Sequence, residues 1–210
     1  MDDSRNTLHS VDKHLALRKK WLMTLALTPI FTVLMIVSAK LSIPLPILPI
    51  SFQVTVAILS GLLLGPRLGF LSQLLYLLMG LVGLPVFSRG GGIEYIFTGS
   101  FGYIIGFLLA APLAGVIAGK LSKNSSQSIR YTHVLLASLV ALFAAYVCGV
   151  AYLFALSNFY TDFAGSKDAA WITVLAGAGP YFVKDILLSV FAAELARRLW
   201  KVRPRKLTNS

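Results

Sequence analysis

The feature that most constrains this chain is a pair of long apolar runs without a single charged residue. Residues 134–156 and 21–39 are 23 and 19 residues long, and neither contains Asp, Glu, Lys or Arg. A helix needs about 20 apolar residues to cross a bilayer, whereas an amphipathic helix of a soluble protein would interrupt such runs with polar positions on one face. Only 13% of the whole chain is charged and 57% is hydrophobic. The sequence therefore predicts an all-α integral membrane protein.

Six apolar segments predict six transmembrane helices in one bundle. The predicted spans are residues 21–39, 50–64, 68–86, 96–118, 134–156 and 171–199. The second span is short and is entered through the sequence IPLPILPI, whose prolines favour extended backbone. No linker long enough to separate two domains interrupts residues 21–200. We therefore expect a single membrane domain over 21–200, with a polar N-terminal tail, 1–20, and a basic C-terminal tail, 201–210.

The positions of lysine and arginine predict the orientation of this bundle. If the N-terminus is cytoplasmic, all but four of the 19 basic residues lie on the cytoplasmic side, as the positive-inside rule requires. The exceptions are Lys40, Arg89, Lys167 and Lys184. Both termini are therefore predicted to be cytoplasmic. Because the basic residues cluster at the ends of apolar runs, the net charge of +11 does not indicate binding to nucleic acid.

One pair of charges lies within a predicted span away from its cytoplasmic end, namely Lys184 and Asp185. Ionisable residues in a membrane segment are expensive and therefore mark functional candidates. The sequence AGAGP at 176–180 predicts an interruption or start of the sixth helix, since Pro180 suits a first helical turn. The pair is then expected in the first turn or two, near the outer face, where the helix dipole favours a carboxylate. The alternatives are a structural ion pair to another helix or a Lys184 side chain that snorkels to the interface.

The sequence SRGGGIEY, residues 88–95, falls on the same predicted outer side. Consecutive glycines allow positive φ angles and a close approach of backbone to a ligand, and Arg89 can hold a carboxylate through two hydrogen bonds. The alternative is an ordinary loop with Arg89 and Glu94 facing water. No strand precedes the glycines, so they do not form a dinucleotide-binding motif. Together with Lys184 and Asp185, this segment would close a polar cavity for a small molecule with an anionic end and a hydrogen-bonding end.

The other ionisable residues do not predict an enzyme. The histidines, His9, His14 and His133, lie in predicted tails or loops, and HExxH, GxSxG and Walker motifs are absent. Glu194 is interpreted as a helix-surface partner of Arg197 and Arg198. Cys148 is interpreted as a small buried hydrophobic residue. We therefore expect no catalytic residue, no metal and no cofactor.

Several motifs in combination resemble those of the BioY family, the biotin-binding S components of energy-coupling-factor (ECF) transporters. The resemblance extends from about Thr24 to Arg198. It includes the proline-rich entry followed by Gln53, then GLLLGPRLG, LYLLMG and GLPVF. The next segment, TGSFGYIIGF, is similar to the family's G-P-T-G-G-Y-L-I-G-F, with Ser100 in place of the threonine. Phe101 replaces a family glycine, which would narrow a helix contact or fill part of the pocket.

This resemblance implies an S-component-like bundle that binds biotin. Asp185 would accept a hydrogen bond from the ureido ring, the amides of 90–92 would donate, and Arg89 or Lys184 would pair with the carboxylate. The family commonly has a lysine three residues after the acid, where this chain has Leu188, and we hypothesise that Lys184 replaces that lysine. The implied substrate-binding residues are Phe87, Arg89, Gly90, Gly91, Gly92, Tyr95, Ser100, Tyr181, Lys184 and Asp185.

The resemblance also implies a transport mechanism in the lipid bilayer. Biotin would be captured at the outer face, and the bundle would then reorient with a transmembrane coupling protein and cytoplasmic ATPases. Thr24, Thr28 and Thr32 form a stripe of small residues that would contact the coupling protein. The alternatives are transport without that module, a proton-coupled secondary transporter with Asp185 as its proton site, an S component for another vitamin, and a non-transporting scaffold.

Overall fold

The computed structural model describes residues 26–43, 50–122, 130–159 and 167–200, and it gives only the backbone of 157–159 and 167–180. These ranges contain six α-helices and one short 3₁₀ helix, Ile93–Phe97. The α-helices are α1, Ala26–Lys40; α2, Gln53–Leu64; α3, Pro66–Leu81; α4, Phe101–Ser122; α5, Tyr131–Phe159; and α6, Lys167–Leu199. The extended pairing found in these ranges is limited to two isolated bridges, Ile43 with Ile50 and Phe87 with Gly90. The prediction of an all-α fold is confirmed.

The helix at the centre of the bundle is α4. It packs most extensively on α5 and also contacts α2 and α3, while α6 packs on α5 and α2. Glycines let the backbones approach closely, as is usual between helices in a membrane. A Cβ atom on Gly106 would lie 2.6 Å from the carbonyl oxygen of Ala145, and Gly61 likewise has no room for one against the carbonyl of Ala111. These contacts fix α4 tightly between its neighbours.

The surface of the bundle is apolar where a soluble protein would be polar. Val33, Phe143 and Leu187 have relative exposures of 55%, 64% and 68%. Two of the helices that could be assessed are long and apolar enough to cross a membrane, Phe101–Ser122 and Tyr131–Leu156. The apolar helices Ala26–Lys40 and Gln53–Leu64 are shorter. This surface is suited to lipid hydrocarbon, so the predicted membrane class agrees with the packing.

The threonine stripe on α1 lies inside the bundle where the structure describes it. Thr28 and Thr32 are only 3% and 4% exposed. The hydroxyl of Thr32 donates hydrogen bonds to the carbonyl of Thr28, at 3.2 Å, and to that of Ser72 on α3, at 3.0 Å. Thr24 lies outside the described residues. Thr32 therefore joins α1 to α3, and both threonines offer almost no surface to a partner protein.

The predicted start of the sixth helix at Pro180 is wrong. Helix α6 continues without interruption from Lys167 to Leu199 and passes through Pro180. Proline removes one backbone donor, but transmembrane helices tolerate this loss because neighbouring groups satisfy the freed carbonyl. Asp185 therefore lies near the middle of a 33-residue helix, and not in its first turns, so the helix dipole does not stabilise its charge.

The predicted fourth span begins too early. Residues 96–97 belong to the 3₁₀ helix and 98–100 to a turn, so α4 begins at Phe101. Helix α3 likewise ends at Leu81, short of the predicted residue 86. Hydropathy did not separate these apolar loop residues from the helices. The loop between α3 and α4 is consequently longer than expected and supplies several residues to the cavity described below.

Candidate functional site

A cavity of about 550 Å³, partly open to solvent, lies between α2, α4, α5, α6 and the loop that precedes α4. Small-molecule sites are typically concave and mostly apolar, with a few convergent polar groups. Apolar side chains form most of the wall, and hydroxyl, amide and charged groups are interspersed among them. The lining residues are Ser51, Gln53, Val54, Ser88, Tyr95, Ser100, Tyr103, Ile104, Phe107, Tyr146, Tyr181, Lys184 and Asp185.

The carboxylate of Asp185 is held by two groups. It is 5% exposed, and its Oδ2 accepts a 2.6 Å hydrogen bond from the hydroxyl of Tyr146 on α5. Its Oδ1 lies 2.8 Å from Nζ of Lys184 in an ion pair that lacks hydrogen-bond geometry. Because a carboxylate oxygen can accept more than one hydrogen bond, Oδ1 can also accept from a donor on a ligand in the cavity while it stays paired with Lys184.

Lys184 connects α6 to the segment before α2. Its Nζ donates a 2.5 Å hydrogen bond to the carbonyl of Ser51 and lies 5.9 Å from the centre of the Phe52 ring. The alternative of an ion pair to another helix is therefore not the arrangement found among the described residues, since Lys184 pairs with its own neighbour Asp185. The ammonium group closes one side of the cavity and balances the buried carboxylate.

Aromatic rings hold the wall beside Asp185. Tyr146 packs edge-to-face on Tyr103, with ring centres 5.5 Å apart, and on Phe182, with centres 5.0 Å apart. Gly149 makes room for the ring of Tyr103, since a Cβ there would lie 2.5 Å from its ring atoms. The hydroxyl of Tyr103 is buried and has no hydrogen-bond partner among the residues that the structure describes. The wall thus places this hydroxyl donor close to the buried carboxylate of Asp185.

A cluster of hydroxyl groups lines another part of the cavity. The hydroxyl of Ser88 shares a 2.9 Å hydrogen bond with that of Tyr95. Ser100 donates to the same tyrosine oxygen at 3.0 Å and lies 3.2 Å from the hydroxyl of Thr98. Hydroxyl groups both donate and accept, so this cluster can adapt to an anionic or a neutral polar group.

The glycine-rich segment is built onto the end of α3. The ring of Phe87 is fully buried against Gly80, where a Cβ atom would overlap it, and packs on Tyr76 and Tyr95. Gly90 and Gly92 have φ angles of +119° and +105°, which only glycine adopts readily. Their amides donate to the carbonyls of Phe87, at 3.3 Å, and Gly80, at 2.7 Å. These two amides are therefore used within the chain.

Lys40, at the end of α1, secures this segment from the other side. Its Nζ donates a 3.0 Å hydrogen bond to the carbonyl of Phe87. Below the ring of Phe87, the hydroxyl of Tyr76 accepts a 2.7 Å hydrogen bond from the amide of Gln53, which itself lines the cavity. Helices α1, α2 and α3 thus position the loop jointly.

Half of the residues proposed from the sequence line the cavity, namely Tyr95, Ser100, Tyr181, Lys184 and Asp185. The others are Phe87, Arg89, Gly90, Gly91 and Gly92, and they lie in the adjoining turn. Arg89 is exposed and close enough to Tyr181 for an electrostatic interaction. Glu194 pairs with Arg197 and Arg198, each at 2.8 Å, so its interpretation as a helix-surface partner is confirmed.

The family model that matches this chain is that of the BioY family, over residues 8–205. The chain belongs to the BioY family. The family resemblance seen in the sequence is thereby confirmed, and the motifs that carried it, from Gln53 to Phe107, contribute eight of the cavity-lining residues.

Known BioY proteins are similar to this chain over most of its length. A probable biotin transporter BioY of Lysinibacillus sphaericus is 37% identical over 187 residues, which are 89% of this chain and 91% of that protein. The biotin transporter BioY of Thermotoga maritima is 33% identical, over 82% of this chain and 93% of that protein. The crystal structure of the S-component for biotin from an ECF-type ABC transporter superposes with a TM-score of 0.72 at 26% identity, over 87% of this chain and 93% of that one.

Two cavity residues next to Asp185, Tyr103 and Tyr146, were not predicted as site residues from the sequence. Tyr146 lies within an apolar run, and Tyr103 is marked in the sequence only by its match to a family motif. The available signal was a tyrosine near the middle of a span free of charges, since a buried tyrosine hydroxyl usually has a hydrogen-bond partner. Its pairing with Asp185 depends on how α5 packs against α6, which the sequence does not specify.

Proposed function

We propose that this chain is the biotin-binding S component of an ECF-type transporter and mediates biotin uptake across the cytoplasmic membrane. Membership of the BioY family and the similarity to a biotin S component support this function. The observation that carries it is the cavity around Asp185, where a buried carboxylate paired with Lys184 and Tyr146 lies in a mostly apolar wall. Biotin has N–H donors, an apolar ring and chain, and a carboxylate, which match the acceptor, apolar wall and hydroxyl groups of this cavity.

The substrate-binding residues are proposed at two levels. Tyr95, Ser100, Tyr181, Lys184 and Asp185 contact biotin directly from the cavity wall. The adjoining turn, with Phe87, Arg89 and residues 90–92, shapes the wall and places the positive charge of Arg89 near its rim. A guanidinium or ammonium group near the opening would attract the carboxylate of biotin. The first group is distinguished from the second because its side chains line the cavity.

The proposed topology has six membrane spans within residues 21–200 and cytoplasmic tails at both ends. Its support is the distribution of basic residues, which places the cavity loop on the outer side. A coupling protein and cytoplasmic ATPases are the proposed partners for the inward step. Since Thr28 and Thr32 are buried, the surface that α1 presents to such a partner is its apolar side with Ile30, Val33 and Leu34.

Ligand binding by the purified full chain tests this function. The protein is produced in biotin-depleted medium, so that no ligand is carried through purification, and is titrated by calorimetry with biotin, riboflavin, thiamine and pantothenate. We expect saturable binding of biotin alone, with a matching rise in the temperature of unfolding. A response to another vitamin in place of biotin would overturn the assignment.

The variant Asp185→Asn localises the site. It keeps the shape of the side chain but removes the charge and one acceptor, and the loss of a charged hydrogen-bond partner costs about 1.5–3 kcal/mol. We therefore expect biotin affinity to fall by at least about tenfold. The matched control is Glu194→Gln, which removes a carboxylate at the far end of the same helix and is expected to leave affinity unchanged. Equal effects of the two variants would argue against this cavity.

A further inference from the structure

We propose that Tyr152 on α5 is a positioning residue for the biotin site, because its hydroxyl holds the 3₁₀ helix Ile93–Phe97 in the place from which Tyr95 reaches the cavity. Tyr152 itself does not line the cavity, so it acts on the ligand through Tyr95. This inference rests on the proposed function and deepens it, since it assigns a role in binding to a residue outside the cavity wall.

A hydrogen bond joins α5 directly to this 3₁₀ helix. The hydroxyl of Tyr152 donates to the carbonyl of Ile96, which is 56 positions away in the sequence. At the end of a helix the last carbonyls have no donor in a following turn and need one from elsewhere. A 3₁₀ helix is also short and has poorer hydrogen-bond geometry than an α-helix. The position of this five-residue helix therefore depends on tertiary contacts such as the one from Tyr152.

Close packing between the loop and α5 surrounds that hydrogen bond. The ring of Phe101, at the start of α4, meets the ring of Tyr152 edge-to-face, with ring centres 5.8 Å apart. A Cβ atom on Gly102 would overlap the side chain of Tyr152, and one on Gly99 would lie 2.6 Å from Cδ1 of Leu153. The end of the loop thus rests on consecutive residues of α5, and the hydroxyl of Tyr152 adds a directional contact to this apolar packing.

Tyr95, the neighbour of Ile96, carries this constraint to the cavity. It is 5% exposed, and its hydroxyl is hydrogen-bonded to those of Ser88, at 2.9 Å, and Ser100, at 3.0 Å. All three of these hydroxyl-bearing residues line the cavity. A displacement of the carbonyl of Ile96 would therefore move Tyr95 and disrupt the hydroxyl cluster that faces the ligand.

The hydrogen bond from Tyr152 pre-organises this part of the site. A segment that is already in place before the ligand arrives costs little to order on binding, whereas a loose segment lowers the affinity by its ordering cost. Differences in affinity among variants of one site appear mostly in the dissociation rate. Without the hydroxyl of Tyr152, we therefore expect biotin to dissociate faster.

The test is a double-mutant cycle between Tyr152→Phe and Tyr95→Phe in the full chain. Tyr152→Phe removes the hydroxyl but keeps the ring on Phe101. Calorimetric titration measures biotin affinity, and the release of radiolabelled biotin measures the dissociation rate. We expect Tyr152→Phe to bind biotin about tenfold more weakly, and the same change in a Tyr95→Phe background to cost at most about twofold. The matched control, Tyr131→Phe at the first residue of α5, should leave affinity and rate unchanged.

Hydrogen exchange distinguishes positioning from general support of the fold. In Tyr152→Phe, faster amide exchange should be confined to residues 93–100, while residues 131–145 of α5 exchange as in wild type. If Tyr152→Phe does not fold, Phe101→Leu replaces it in the cycle, because this variant leaves the hydroxyl of Tyr152 but removes the ring packed beside it. We expect Phe101→Leu to weaken biotin binding about threefold, and this loss should disappear in the Tyr95→Phe background.

The results for wild type separate this inference from the proposed function. If wild type does not bind biotin, the proposed function itself fails. If wild type binds biotin and Tyr152→Phe binds it equally well, the proposed function stands and the positioning role is refuted. Losses that add in the double variant, or exchange that accelerates throughout the bundle, would refute it as well, because Tyr152 would then act on the fold and not through Tyr95.

Discussion

The hydroxyl of Tyr146 lies 2.6 Å from Oδ2 of Asp185, and this hydrogen bond joins α5 to α6 at the wall of the cavity. The two residues are 39 positions apart in the sequence, and only Asp185 stands out by itself. Their contact fixes the orientation of the carboxylate, with Oδ2 toward Tyr146 and Oδ1 toward Lys184.

Tyr146→Phe removes this hydrogen bond while keeping the ring and its packing on Tyr103 and Phe182. We expect biotin affinity to fall about tenfold, because Asp185 can then rotate and its charge is less well solvated. Calorimetric titration measures the change in affinity. The control is Tyr131→Phe, which removes a tyrosine hydroxyl at the start of α5, outside the cavity, and should leave the affinity unchanged. An unchanged affinity would show that Lys184 alone is sufficient to orient the carboxylate.

Lys184→Ala tests whether this lysine takes the role of the family lysine at the position of Leu188. It removes the ion pair to Asp185 and the hydrogen bond to the carbonyl of Ser51, so biotin affinity is expected to fall at least tenfold. The double variant Lys184→Ala, Leu188→Lys returns an ammonium group one turn further along the same helix. We expect it to recover most of the lost affinity, since both positions are half-buried and lysine is flexible. If both variants bind biotin as tightly as wild type, Lys184 does not contribute to the site.

Gly80→Ala tests the support of the glycine-rich segment. The added methyl group would overlap the ring of Phe87 and push it toward Tyr95, a cavity residue. Overpacking of this kind costs about 1–3 kcal/mol, and we expect both a lower unfolding temperature and weaker biotin binding. In a Phe87→Leu background the same substitution should cost less, because the smaller side chain can yield, and a double-mutant cycle measures the difference. Additive effects would mean that the two residues do not interact.

Thr32→Val tests whether the threonines of α1 act within the chain. It removes the hydrogen bond to the carbonyl of Ser72 at nearly constant volume, and we expect a loss of about 1 kcal/mol in stability. Thr32→Ser, which keeps the hydroxyl, should be milder. Biotin affinity should stay the same in both. If Thr32→Val instead leaves the unfolding temperature unchanged and disrupts assembly with the coupling protein, the residue acts at the partner interface.

The class of the protein and its family were determined by the sequence alone. Long uncharged runs have few structural solutions, because every backbone polar group in hydrocarbon must be hydrogen-bonded within the protein, and a run of about 20 apolar residues does so as a helix. The pair Lys184–Asp185 was also evident, since charges are rare in such a context. The motifs from Gln53 to Phe107 then pointed to BioY. These are properties of composition, spacing and residue type, and they do not depend on how the helices pack.

Only the tertiary structure decided how the site is assembled. The continuity of α6 through Pro180 moved Asp185 from a helix end to a helix centre, because the backbone donor lost at proline was tolerated. The amides of Gly90 and Gly92 proved to be occupied by bonds to Phe87 and Gly80. The packing of α4, α5 and α6 placed Tyr103 and Tyr146 beside Asp185. Contacts between residues distant in sequence depend on the crossing angles and rotations of the helices. The hydropathy pattern carries no information on either quantity.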